Sequence, residues 1–452
     1  MSYARWATKE ELADKLDAID LKVGVSKAGI PMAFDENYLY VDTKEAHSMI
    51  IGSTGSGKTQ TTILPMIKLA MIAGESVIVN DPKGELYGRC AENFKRRGYN
   101  VIALDFEDAR YGNAWNPLRV AYDLYNNDKR DKAIKSLEDI GYYLFYDAKE
   151  KDSDPFWINS TINYFVGLTL YLFENADINE TNLYSIFQLS NYLNKNDNGK
   201  KFIDKLDQNS LIYMNLVGTL KAPAETKGSI LSVFTQKIKK YLSREDLTNM
   251  LCSSDFEINK IGTQPTALFI ISGISNYCNN LIPLLINQII DAVDTYGTKE
   301  KNINILLDEF DSMVPIRDFS RMIEYCRSIK VKFVITIRSY IHLCNMYSKD
   351  DAEILKMCFG NLIYLLSDDI YTLDEISRYC GNKENGEPLM SIEDLKTINI
   401  FEGIVIIPRT MPFKTKFLPD FKIEYGFEDI DSNVPLRKEN RVTKPATTLF
   451  TP

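Results

Sequence analysis

The sequence predicts an α/β chain: a mostly parallel sheet covered by helices and interrupted by an all-α insertion. Three observations carry this. Residues 47–105 alternate strand and helix as βαβαβ. Clear strand signals vanish between about Leu118 and Thr263, where apolar residues recur at helical spacing. The alternation then resumes from Thr266.

Taken in order, residues 1–46 read as an entry segment that packs on the sheet domain, with a short helix around Lys9 to Ala18 and extended pieces at Pro31–Phe34 and Tyr38–Val41. HSMII (47–51) is a short buried strand, followed by a Gly-rich turn and a helix from Lys58 to about Ala73 that Gly74 ends. Strand SVIVN (76–80), a helix near Leu86–Arg97 and strand NVIALD (100–105) complete the first sheet part, 47–117. The helical block, 118–263, offers helices at Lys129–Tyr146, Pro155–Glu174, Leu183–Leu193, Lys200–Leu206 and Gly228–Leu242, with NKNDNGKK (194–201) as an exposed loop. The second sheet part, 264–425, has strands TALFIIS (266–272), NINILLDEF (302–310), KFVITI (332–337), NLIYLL (361–366) and GIVIIP (403–408). Its helices are Asn280–Tyr296, Phe319–Ser328 and one from Ser339, and residues 426–452 read as a charged surface tail.

Composition bounds the chemistry. With 45% hydrophobic residues in 452, the chain can bury more than one core, so whole-chain disorder is excluded. Only His47 and His342 are present, so a multi-histidine metal site is excluded. Seven cysteines stand singly without a C-x-x-C pair, which fits a reducing compartment and structural burial. The net charge of −9 argues against a surface coated with positive charge but allows a local basic stripe. The longest apolar run, Ile162–Phe173, is shorter than the roughly 18 to 20 residues of a membrane span, and the N-terminus lacks a signal-peptide core, so the chain is expected to be soluble and cytoplasmic.

The strongest motif is Gly52-Ser53-Thr54-Gly55-Ser56-Gly57-Lys58-Thr59, a full G-x-x-x-x-G-K-[ST] between a strand and a helix. Its glycines let successive amides curl around phosphate oxygens at a helix N-terminus. Lys58 is then the ligand of the β- and γ-phosphates, Thr59 the hydroxyl on Mg²⁺, and Gln60 the next residue of the nucleotide site. A phosphate loop needs a second acidic centre. Asp308 closes an apolar strand and suits Mg²⁺; Glu309 follows it and suits the positioning of an attacking water, which argues for ATP hydrolysis over a GTPase switch. NDPKGEL (80–86) leaves the sheet at the same carboxyl edge, where open α/β sheets place ligands. Lys83 and Glu85 there either sense phosphate, contact a neighbouring subunit, or belong to a plain turn before a helix.

With these motifs in hand, the chain resembles the type IV coupling proteins, the TraG-like ATPases of conjugation and type IV secretion. ARWAT (4–8), GSTGSGKTQ (52–60), NDPKGELY (80–87), NPL (116–118), DPFW (154–157), LDEF (307–310) and KTKF (414–417) follow in the family's order and cover nearly the whole chain. The resemblance implies a RecA-like nucleotide-binding domain with an all-α domain, ATP and Mg²⁺ as cofactors, and self-association as a hexameric ring, with the monomer as the alternative in isolation. It implies a relaxase, single-stranded DNA and the secretion channel proteins as partners. It also places the system at the inner face of the cell membrane, with the membrane anchor outside this chain. Arg327 stands where the family carries an arginine; it either reaches a neighbour's γ-phosphate in trans or is favoured there by the helix dipole. Two positions depart from the family: Arg338 replaces a γ-phosphate-sensing glutamine, and Asp311 replaces a glycine.

For nucleic acid, the linear sequence offers only Lys95-Arg96-Arg97, Lys237–Lys240 and Lys149/Lys151, each equally a solvated helix face. The leading expectation is an ATP-hydrolysing motor that recruits cargo to the channel. The alternative is an ATP-regulated docking platform with little turnover. A small-molecule kinase is disfavoured by the helical insertion.

Overall fold

The computed structural model describes residues 3–35, 38–147, 154–273, 278–438 and 442–444. Three short strands, β1 (Asp17–Ile19), β2 (Ile30–Asp35) and β3 (Tyr38–Asp42), form an antiparallel sheet in the order β1-β3-β2. The main sheet holds β4 (Ser48–Gly52), β5 (Ser76–Asn80), β6 (Asn100–Asp105), β7 (Thr266–Ile271), β8 (Ile303–Leu307), β9 (Val331–Ile337), β10 (Asn361–Leu366), β11 (Glu402–Ile406) and β12 (Phe413–Lys416). Its order is β12-β11-β10-β4-β9-β8-β5-β7-β6. From β10 through β4, β9, β8 and β5 to β7 the pairs are parallel, and β11 and β12 close one side antiparallel. Buried on both faces, β4, β5, β7, β8 and β9 read as continuous apolar runs.

Parallel pairing puts the ends of β4, β5, β8 and β9 along one edge, so whatever follows each strand gathers there. His47 secures the opposite edge of β4. Its Nε2 donates to the Ile323 carbonyl at 2.9 Å and its Nδ1 accepts from the Phe333 amide at 2.9 Å, an arrangement only the neutral ring satisfies.

The chain divides into two compact units. The first comprises Met1–Ala103, Asn259–Ile271 and Ala292–Asn433; the second comprises Leu104–Ile258, Ser272–Asp291 and Val434–Pro452. The second is helical, with helices Arg119–Asn126, Arg130–Phe145, Pro155–Asn175, Leu183–Leu193, Asn198–Lys205, Leu211–Leu220, Ala224–Leu242 and Glu245–Met250. Phe145, Phe165, Tyr164 and Phe234 meet at its centre, with ring centroids 5.2 to 5.8 Å apart. Among the described residues no helix is long and apolar enough to cross a membrane.

Several expectations are corrected. The first helix spans only Lys9–Ala13, because Asp17–Ile19 is drawn into pairing with Leu39–Val41. The helix expected from Lys58 opens as a π-turn, Thr59–Ile63, before regular α-helix at Leu64–Ala73. The loop expected over 194–201 turns helical from Asn198. The strand expected through Phe310 stops at Leu307, and Phe310–Ser312 is a 3-10 turn. Within 426–452, Asp429 pairs with Lys68, and the Ser432 amide donates to the Gly88 carbonyl at 2.9 Å.

Candidate nucleotide site

The loop after β4 is shaped by backbone freedom: Gly55 and Gly57 sit at φ +80° and +93°, which L side chains rarely adopt. A Cβ at Gly52 would lie 2.9 Å from Lys58 Cγ, so only glycine lets the lysine fold across the loop. Lys58 Nζ donates to the carbonyls of Gly52 and, at 3.1 Å, Ser53. Burial lowers the Lys58 pKa; Asp308, Asp311 and Glu309 oppose this, and Arg338 adds to it. Those five charges therefore share one site.

The chain order of the sheet explains the acidic centre. β9 lies between the phosphate-loop strand β4 and the acidic strand β8, so its last residues stand between loop and carboxylates. Thr59 Oγ1 donates to Asp308 Oδ2 at 3.1 Å, and Thr336 Oγ1 donates to Asp308 Oδ1 at 2.6 Å. The Glu309 amide donates to Thr336 Oγ1 at 2.9 Å, and Asn80 Nδ2 donates to the Asp308 carbonyl at 2.8 Å. Asp308 is thus held from β5, from β9 and from the π-turn that follows the phosphate loop. Glu309 adopts a left-handed φ of +52°, a costly conformation for a side-chain-bearing residue that re-aims the chain right after β8.

The site fits a magnesium-bound polyphosphate on two observations. Ser56 Oγ is buried in the loop without a hydrogen-bond partner, a donor waiting for an acceptor. Thr59 and Asp308 present hydroxyl and carboxylate oxygens, the hard donors Mg²⁺ prefers.

Arg338 and Asp311, the two departures from the family pattern, are bonded to each other. The Asp311 carboxylate, 1% exposed, accepts from Arg338 Nε at 2.9 Å and from its amide at 3.0 Å. Asp81, after β5, is buried and accepts the Tyr87 amide at 2.8 Å; burial raises its pKa to about 6. Arg327 is not brought to this edge. It opens the 3-10 turn Arg327–Ile329 that leads into β9, at the amino edge, where it lines a cavity of about 560 Å³ with Lys27, Lys44, Lys301 and Lys330 and the carboxylates of Glu45, Glu75 and Glu300.

Within the basic clusters several side chains have partners, while Lys95 and Lys239 are exposed. Arg96 pairs with Glu92 at 3.2 Å, Arg97 lies over Phe427 and Lys237 pairs with Asp147 at 2.9 Å; Lys149 and Lys151 lie outside the described residues. Sequence reasoning missed Thr336, a hydroxyl inside an apolar strand. Its signal was the one hydroxyl residue in KFVITI, one position before the strand's end. Asn80 was noted only as part of a turn.

Comparison with known proteins gives a concordant picture. The sequence profile for type IV secretory system conjugative DNA transfer proteins matches residues 5–396. The type 4 coupling protein DotL of Legionella pneumophila is 24% identical over 273 residues, 48% of this chain and 35% of DotL. The chain thus spans about a third of that relative. The plasmid coupling protein TrwB, solved with ADP and Mg²⁺, superposes with a TM-score of 0.68 at 13% identity, covering 98% of this chain and 96% of TrwB. TrwB with the ATP analogue ADPNP gives 0.66 at 14%, covering 98% and 97%. VirB4 of Thermoanaerobacter pseudethanolicus gives 0.51 at 12%, covering 87% and 98%. At these identities the superpositions establish the fold.

Proposed function

Since the chain belongs to the type IV secretory system conjugative DNA transfer family, we propose that it is a P-loop ATPase that recruits relaxase–DNA or protein cargo to a secretion channel at the inner face of the membrane and couples ATP hydrolysis to its transfer. The observation that carries this is the Thr59–Asp308–Thr336 bond chain with Glu309 directly after it, at the edge where the phosphate loop opens.

In this reading Gly52–Thr59 cradles the phosphates through backbone amides and Lys58 binds the β- and γ-phosphate oxygens, with Gln60 beside them. Thr59 Oγ1 and Asp308 would hold Mg²⁺, which when bound neutralises charge on the phosphate oxygens. Glu309 orients the attacking water and accepts its proton. Arg338 faces the same charges and serves as the γ-phosphate sensor. Arg327, at the opposite edge from its own phosphate loop, is suited to reach a neighbouring subunit's nucleotide in a hexameric ring. The helical unit is the candidate for cargo recognition.

The test is nucleotide binding and steady-state turnover with Mg²⁺. Lys58→Ala should lose binding, and Glu309→Gln should keep binding but lose turnover by at least about a hundredfold, the scale of general-base loss. Undiminished turnover by Glu309→Gln would remove the hydrolytic assignment. Tight binding with negligible wild-type turnover would favour the docking-platform reading.

A further inference from the structure

Beside the phosphate loop stand two aromatic rings that packing alone does not explain. Phe401 immediately precedes β11, which runs antiparallel to β10, so it lies at the same edge as the loop after β4. Its ring faces Gly57: a Cβ there would lie 3.2 Å from Phe401 Cδ1 and Cε1. Phe401 is held at a left-handed φ of +64°, and its carbonyl accepts the Phe417 amide at 2.7 Å. Phe421 is 63% exposed, and its ring centroid stands 6.3 Å from that of Phe401 at 68°. The pair is an open corner, in which a flat ring laid on one face meets the edge of the other.

The corner is tied to the phosphate loop. Phe421 belongs to the short turn Asp420–Lys422, which packs against the π-turn Thr59–Ile63. Buried Asp420 pairs at 2.8 Å with Lys68 of the helix that continues that turn. A strained backbone and a solvent-exposed phenylalanine, locked to the loop by a buried ion pair, are features of a ligand contact rather than of a core.

We propose that Phe401 and Phe421 form the stacking platform for the purine base of the nucleotide whose phosphates the loop holds; this rests on the nucleotide-binding reading above. Stacking is worth enough per base to change affinity about tenfold.

The test titrates Mg–ATP and Mg–tripolyphosphate, which has no base, into wild type, Phe421→Ala, Phe401→Leu and Lys58→Ala. Phe421→Ala removes an exposed ring, and Phe401→Leu keeps apolar volume at the strained position. Both should weaken ATP about tenfold and leave tripolyphosphate unchanged, whereas Lys58→Ala should weaken both ligands. Unchanged ATP affinity in the two phenylalanine variants, or equal loss of both ligands, overturns the platform while the Lys58 result keeps the phosphate site. Failure of wild type to bind either ligand sinks the nucleotide reading and the platform together.

Discussion

The Asp311 carboxylate fixes the direction of a cation beside the phosphate loop. As a letter it is a surplus carboxylate; in the fold it is buried and holds the Nε and amide of Arg338. The guanidinium keeps its terminal nitrogens for another partner while its direction is fixed, which is how a positioned cation differs from a mobile one. Asp311→Asn should therefore lower kcat several-fold with little change in ATP affinity, and Arg338→Ala should do the same. The double variant should be no worse than either single one, because the two act as a unit. Steady-state kinetics of the four proteins checks this; additive losses would separate the residues. Asp308 and Glu309 were legible because an apolar run ended in two acids after an intact phosphate loop. Thr336 was not, because its value depends on β9 lying between β4 and β8, a strand order that local sequence does not encode.

At the scale of elements, the buried neutral His47 gives β4 a pH-dependent anchor. Burial chiefly lowers its pKa to about 4, aided by Arg327 and Lys332 and opposed by the Ile323 carbonyl. The unfolded chain, with an ordinary histidine pKa, binds the proton first, so stability falls as pH drops from about 6.5 towards 4. Urea unfolding should show wild type losing ~2 kcal/mol more than His47→Gln between pH 7.5 and pH 5. Parallel pH curves would contradict the anchor.

In the helical unit, a Cβ at Gly167 would lie 2.6 Å from Leu216 Cγ and 3.1 Å from Asn215 Cβ, so helices 155–175 and 211–220 touch backbone to side chain there. Gly167→Leu should cost about 1–3 kcal/mol by overpacking, read as a lower thermal midpoint. Helix 211–220 escaped the sequence reading because LIYMNLVGTL is apolar around most of its circumference and shows no stripe. The first helix was overextended for the opposite reason: its amphipathic pattern runs on past Ala13, but β3 captures Asp17–Ile19 as a strand.

At the scale of the molecule, the family was legible because its segments span the chain in order, while assembly leaves no local mark. The structure contributes the placement of Arg327 at the amino edge, opposite the phosphate loop. A cation there does not reach its own subunit's phosphate loop, so the proposed arginine contact to phosphate is with another copy. We therefore propose an ATPase completed between subunits. The measurement is specific ATPase rate against protein concentration, with and without single-stranded DNA. The rate per chain should rise cooperatively with concentration, rise at lower concentration with DNA, and be lost in Arg327→Ala. A substantial rate per chain that is flat with concentration and indifferent to Arg327 would contradict completion between subunits.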